Sequence, residues 1–208
     1  MNVLELFSGS ATFSKIAQER GHQARTLDFN PKFKPTYCMD IFDFTPRVLD
    51  GWKPDIVWAS PDCSGFSLMT VARYWKNGLP THPKAFRSIA LAQKTKEIIL
   101  QLNPRFWFIE NPRAKLRAMP FMKNSPRTTV SYCKYGDTVQ KPTDIWNNCF
   151  FVGRCCSPGA PCHERAHGEF GKPSKHRKGI VGRSNSFERA KIPAQLAREI
   201  LQYCENLQ

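Results

Sequence analysis

Two reactive side chains sit in polar turns where each directly follows an apolar run. Cys63 lies in Ser60-Pro61-Asp62-Cys63-Ser64-Gly65, after Asp55-Ile56-Val57-Trp58-Ala59, and Glu110 opens Glu110-Asn111-Pro112, after Phe106-Trp107-Phe108-Ile109. The thiolate is the reactive form, so the turn is expected to lower the Cys63 pKa through exposed backbone amides and a basic surrounding, and a carboxylic acid in a desolvated turn donates a proton readily. Together they suit covalent catalysis with acid help. A third turn, Phe7-Ser8-Gly9-Ser10, is built of small residues after another apolar run, so its backbone amides can approach a ligand's charged end.

The elements that must hold these turns are legible from periodicity. Asn2 to Phe7 reads as a buried strand, followed by a helix from about Ala11 to Arg20 that stops at Gly21. Ala24 to Asp28 makes a strand ending in an acid, and 55–59 makes the strand that enters the Cys63 turn. Ile89, Ala92, Lys96, Ile99 and Leu102 repeat at helical spacing over 85–102, between Pro83 and Pro104. Phe106 to Ile109 is then a buried strand, Arg127 to Cys133 another, and a last helix begins at Pro193 with Leu196, Ile200, Cys204 and Leu207 on one face. Strands alternating with helices predict an α/β fold with a parallel-rich sheet, in which ligands sit outside the carboxyl ends of the strands. Cys63 and Glu110 both fall at such ends.

Composition narrows the partners. The 208 residues carry 31 Lys+Arg against 17 Asp+Glu, a formal charge of +14, which favours a polyanion such as nucleic acid. No apolar run is long enough to cross a bilayer, and the amino-terminal residues lack the pattern of a secretory signal, so a cytoplasmic protein is expected, monomeric by default. Eight cysteines in a reducing compartment predict buried thiols, a nucleophile or metal ligands rather than disulfides.

Six elements, "LELFSGSATFS", "LDFN", "CMDIFDF", "SPDCSGFS", "FIENP" and "VSYCKYG…QKPTDIW", occur in one order over residues 3 to 146. That series resembles the DNA cytosine carbon-5 methyltransferases, most of all the compact bacteriophage enzymes. The resemblance implies a Rossmann-like S-adenosyl-L-methionine-dependent methyltransferase fold with a short basic appendage, acting on double-stranded DNA. It implies Cys63 as the nucleophile that adds to carbon 6 of cytosine and Glu110 as the proton donor to N3. It places the cofactor against Phe7, Ser8, Gly9, Ser10 and Pro61, its ribose on Asp28, and its adenine between Asp40 and Ile41. The expected organisation is a catalytic domain over 1–146, a recognition segment over 147–186 and a helix over 187–208 that packs back on the catalytic domain.

Two departures stand out. Bacterial relatives carry arginines at the third and fifth positions of the run that is Gln140-Lys141-Pro142-Thr143-Asp144 here, so both are lost, with Lys141 and Arg113 as the nearby cations. The long recognition domain and the final Gly-Asn-Ala-Val element of those relatives are replaced by a short segment in which 151–183 hold 7 Lys/Arg against 2 Glu. Such a segment clamps phosphates and reads little sequence. Within it, Cys149, Cys155, Cys156, Cys162, His163 and His167 carry zinc-type donors, but six residues separate Cys155 from Cys162. Either a structural zinc folds the segment or its histidines face phosphates, and no metal is assigned. An RNA-directed enzyme of the same chemistry and a decayed DNA-binding module are the alternative readings.

Overall fold

A computed structural model describes residues 1–157, 188 and 190–207. In chain order its elements are β1 (Asn2–Leu6), α1 (Thr12–Glu19), β2 (Gln23–Asp28), β3 (Tyr37–Cys38), β4 (Ile56–Ala59) and α2 (Leu68–Tyr74). A small hairpin of β5 (Trp75–Lys76) and β6 (Leu79–Pro80) leads to α3 (Pro83–Leu102), β7 (Phe106–Pro112), β8 (Arg127–Ser131), β9 (Pro142–Asn147) and α4 (Ala194–Glu205).

Seven strands form one sheet in the order β3-β2-β1-β4-β7-β9-β8. The pairings from β3 to β7 are parallel, and β9 runs antiparallel to both β7 and β8. β4 is buried at all four positions, as a central parallel strand covered on both faces must be. The chain winds outward from β1 through β2 to β3 and then returns to β4, so the order reverses between β1 and β4. A reversal of this kind leaves a crevice at the strands' carboxyl ends.

Alternation along the strands sorts the core into two faces. Val3, Ile56, Trp58 and Phe108 pack with Phe13, Ile16 and Ala17 of α1 and with Leu196, Ile200 and Leu201 of α4. Leu4, Leu6, Val57, Ala59, Ile109 and Trp146 pack on the other face with Leu91, Ala92, Ile98 and Ile99 of α3. Phe13 stacks on Trp58 with ring centroids 4.6 Å apart, and α1 and α4 are joined by Arg20–Glu205 and Arg198–Glu19 ion pairs and a His22–Glu205 hydrogen bond of 2.8 Å. The mixed α/β sheet and the α1 span agree with the sequence expectations.

Three local readings need correction. The buried face of α3 is Ala85, Ser88, Leu91, Ala92, Thr95, Ile98 and Ile99, rotated from the expected stripe because two hydroxyl residues belong to it. Thr95 satisfies its hydroxyl on the Leu91 carbonyl at 2.7 Å, and Lys96 turns outward to the Phe121 carbonyl at 2.6 Å. Glu110-Asn111-Pro112 is not a turn but the end of β7, paired with Thr143 to Ile145. Arg127 to Cys133 is a strand to Ser131 and then a 3-10 turn over Tyr132–Tyr135.

Candidate functional site

The first half of the site is the turn after β1. Phe7, Gly9 and Ala11 all have positive φ, at 58°, 46° and 53°, and only the glycine is free of a β-carbon that resists this region. Each non-glycine residue there costs about 1–3 kcal/mol, so the surroundings must hold the shape. They do: the Asp28 carboxylate accepts from the Gly9 amide at 2.9 Å and from Asn30 at 2.9 Å, while the Ser8 amide donates to the Leu27 carbonyl. Asp28 therefore stands behind the turn as its brace. The cleft in front is walled by Phe7, Ser8, Gly9, Ser10, Glu5 and Trp58. Ser8 Oγ is buried there with no hydrogen-bond partner among the described residues.

Two features of this cleft escaped sequence reasoning. Ala190, Lys191 and Ile192, just before α4, close one side of it, although the chain's last element looked only like a packing helix. Glu5, inside β1, is buried and takes the Ser14 amide at 2.8 Å, and burial lifts its carboxyl to about 7. A strand residue flanked by Leu4 and Leu6 shows no sign in sequence of facing a cleft. Of the other expected cofactor residues, Pro61 is buried in the Cys63 turn and Ile41 is 3% exposed within the α3-side core. Asp40 accepts from the Phe42 amide at 3.1 Å and lies 3.6 Å from Arg87.

The second half gathers at the ends of β4, β7, β8 and β9. Asp62 bonds the Ser64 amide and hydroxyl at 3.2 and 2.5 Å, and Ser88 bridges Asp62 and the Gly65 amide, each at 3.0 Å. A β-carbon on Gly65 would lie 2.6 Å from Ser88 Oγ and 2.7 Å from the Lys84 carbonyl, so the turn lies flush against α3 only because this residue is glycine. The Asn111 amide donates to the Pro61 carbonyl at 3.0 Å and thereby ties the Glu110 strand to the Cys63 turn. Glu110 is 4% exposed, accepts from the Tyr132 hydroxyl at 2.9 Å and lies 3.9 Å from Lys141 Nζ.

Cys63 is a free, half-buried thiol. The sequence reading expected its environment to lower the thiol's pKa, and the structure corrects this. Burial pushes it up to about 11, with Lys141 pulling it back and Glu110 and Asp62 opposing. A thiol in a closed turn lacks the water that would solvate its anion, so it needs a specific counter-charge.

Cys162, His163, His167 and most of the basic segment lie outside the described residues. Among the described residues no group of three or more His, Cys, Asp or Glu is placed to hold a metal, and no helix is long and apolar enough to cross a membrane. Cys149 sits beside Cys204 of α4, Cys155 is exposed and Cys156 is buried.

No protein-family model matches the chain. It is 27% identical over 219 residues to a probable DNA (cytosine-5)-methyltransferase of Frog virus 3, a match covering 98% of this chain and all of that protein. The resemblance to the DNA cytosine-5 methyltransferases holds over nearly the whole chain. Among solved structures, a chain named as a putative DNA modification methyltransferase encoded within an E. coli prophage is similar with a TM-score of 0.51 at 15% identity, covering 71% of this chain and 46% of that one. A methyltransferase of Entamoeba histolytica gives a TM-score of 0.51 at 16% identity, covering 73% and 53%. These similarities show the Rossmann-like fold, and this chain spans about half the length of the solved structures it matches.

Proposed function

We propose that the chain transfers a methyl group from S-adenosyl-L-methionine to carbon 5 of cytosine in double-stranded DNA, through a covalent bond between Cys63 and carbon 6. The observation that carries this reading is the convergence of Cys63 and Glu110, whose strand ends are joined by the Asn111–Pro61 hydrogen bond. The near-full-length similarity to a protein named as a cytosine-5 methyltransferase supports it. So does the +14 charge, which suits a polyanionic substrate.

The cleft after β1 suits the charged end of the methyl donor. Its backbone is shaped for close approach, its wall includes the Phe7 ring, and the buried Ser8 hydroxyl waits for a partner. When bound, the donor supplies an electrophilic methyl on a sulfonium that leaves as a neutral thioether. The remaining work falls to the chain. Cytosine carbon 5 is a poor nucleophile until something adds at carbon 6, and the target base must leave the helix stack to reach a turn thiol. The Cys63 sulfur forms a bond to carbon 6, the ring's double-bond electrons shift toward N3, and Glu110 gives N3 a proton. The resulting enamine takes the methyl at carbon 5. Loss of the carbon-5 proton to a base then restores the ring double bond and releases Cys63.

Incubation of the full chain with the methyl donor and either duplex DNA or RNA, followed by sequencing of modified cytosines, tests the reading. We expect 5-methylcytosine in duplex DNA, in short or degenerate contexts. Modification confined to RNA would replace the DNA substrate with an RNA one, and none in either would refute the activity.

A further inference from the structure

The run Gln140 to Asp144 lacks both arginines of the bacterial pattern, and the structure shows what stands there instead. Asp144 pairs with Asn111 across the β7–β9 ladder, so strand alternation turns it to the face opposite Glu110. Its fully buried carboxylate is neutralised on that face by Arg117, at 2.9 Å from Nε and 2.5 Å from Nη2, with the Thr129 hydroxyl at 2.8 Å. Arg113 is exposed and gives its backbone amide to the Pro142 carbonyl at 2.9 Å.

Lys141 goes the other way. Its φ of 27° is a left-handed bend just before β9, and its carbonyl accepts from the Thr143 hydroxyl at 3.1 Å. The side chain is carried inside the protein, 6% exposed, with Nζ 3.9 Å from Glu110 Oε1 and 4.4 Å from the centre of the Tyr132 ring. Lys141 acts on Cys63 as a cation and opposes the rise that burial imposes. A fully desolvated ammonium is expensive unless paired, so this lysine has a specific reason to be here.

We infer that Lys141 is the internal counter-ion of the Cys63 thiolate, exchanging Glu110 for the sulfur as its partner when the nucleophile is made. This rests on the reading of Cys63 as nucleophile and Glu110 as proton donor. The resting cluster holds Cys63–SH, Glu110 carboxylate and Lys141 ammonium. The activated cluster holds Cys63 thiolate, Glu110 carboxylic acid and Lys141 ammonium. One proton leaves sulfur and one arrives on Glu110, so the buried charge is the same before and after. Glu110 is thereby loaded with the proton that N3 requires, at the moment the sulfur becomes able to attack. Lys141 acts through Cys63 and is a positioning residue.

The test is the pH dependence of Cys63 alkylation by iodoacetamide, read by mass spectrometry of the Cys63 peptide, in the full chain without DNA or methyl donor. Lys141→Met should move the profile to higher pH and slow alkylation at pH 8 about tenfold, the size of a one-unit change. Lys141→Arg should stay near wild type. Glu110→Gln, which removes the competing carboxylate and leaves the ammonium to the sulfur, should move the profile to lower pH. Coincident profiles for wild type and Lys141→Met would overturn the inference. If Lys141→Met does not fold, Glu110→Gln decides, and a profile unmoved or moved to higher pH would overturn it. The assay involves no methylation, so the counter-ion role and the proposed activity stand or fall separately.

Discussion

The two halves of the crevice are built by opposite means. The cleft after β1 is a backbone shape, with three consecutive odd-numbered positions, 7, 9 and 11, at positive φ and a carboxylate behind them taking up two amides. The cluster after β4 and β7 is a set of titratable side chains from four elements, the half-buried Cys63 with Glu110, Tyr132 and Lys141, which are buried. A shaped backbone binds a ligand without changing its own protonation. A buried charge cluster has protons to move. In the proposed function binding falls to the first half and chemistry to the second, and each half should then break in its own way.

The largest effect belongs to the charge cluster. Glu110→Gln keeps the shape and an acceptor for Tyr132 but removes the proton donor, so single-turnover methyl transfer should slow by about 10²–10⁴ while donor binding changes little. Unchanged single-turnover rates would take Glu110 out of the chemistry. The next effect probes Glu5, the group in the binding half whose pKa burial raises. Glu5 has its pKa raised from 4.5 to about 7 by burial, so between those values the unfolded chain has lost the proton that the folded chain keeps. Its contribution to stability is therefore complete below pH 4.5 and declines as the pH rises through 7, by at most about 3 kcal/mol. Glu5→Gln stays neutral and should lack that decline, so thermal melts at pH 5 and pH 8 should separate it from wild type. Parallel pH dependences would show that Glu5 is solvated. The smallest effect concerns the brace. Asp28→Asn can accept from one amide where Asp28 accepts from two, which should cost about 1 kcal/mol of stability and about tenfold in donor affinity, measured by melting and calorimetry. Weakened single-turnover chemistry with intact binding would place Asp28 in the wrong half.

The same division explains what the sequence could show. The strand-turn-helix pattern around Gly9 and the strand ends before Cys63 and Glu110 are local, so periodicity and small-residue turns reveal them. Nothing local says that Asn111 reaches Pro61 or that Lys141 reaches Glu110, because these contacts span 50 and 31 positions of chain and depend on β9 folding in between β7 and β8. The β9 strand itself is hard to see, since it begins at a proline and carries a buried aspartate, both unusual in a central strand. Ser88 and Thr95 hid the true face of α3 for a similar reason: a helical stripe that includes hydroxyls does not read as apolar. The Cys63 pKa rises where the sequence predicts a fall because the folded turn is packed against α3 and does not present its amides to the sulfur from open solvent.

The proposed chemistry turns on a covalent bond from Cys63 to cytosine. Duplex DNA carrying 5-fluorocytosine, incubated with the full chain and the methyl donor, tests it most directly, because after methyl transfer carbon 5 holds fluorine in place of the proton whose loss frees the enzyme. Denaturing electrophoresis should show a stable protein–DNA complex, and mass spectrometry should place the base on the Cys63 peptide, with no complex from Cys63→Ser. A complex that forms equally well with Cys63→Ser, or methylation of ordinary duplex DNA by that variant, would contradict the account.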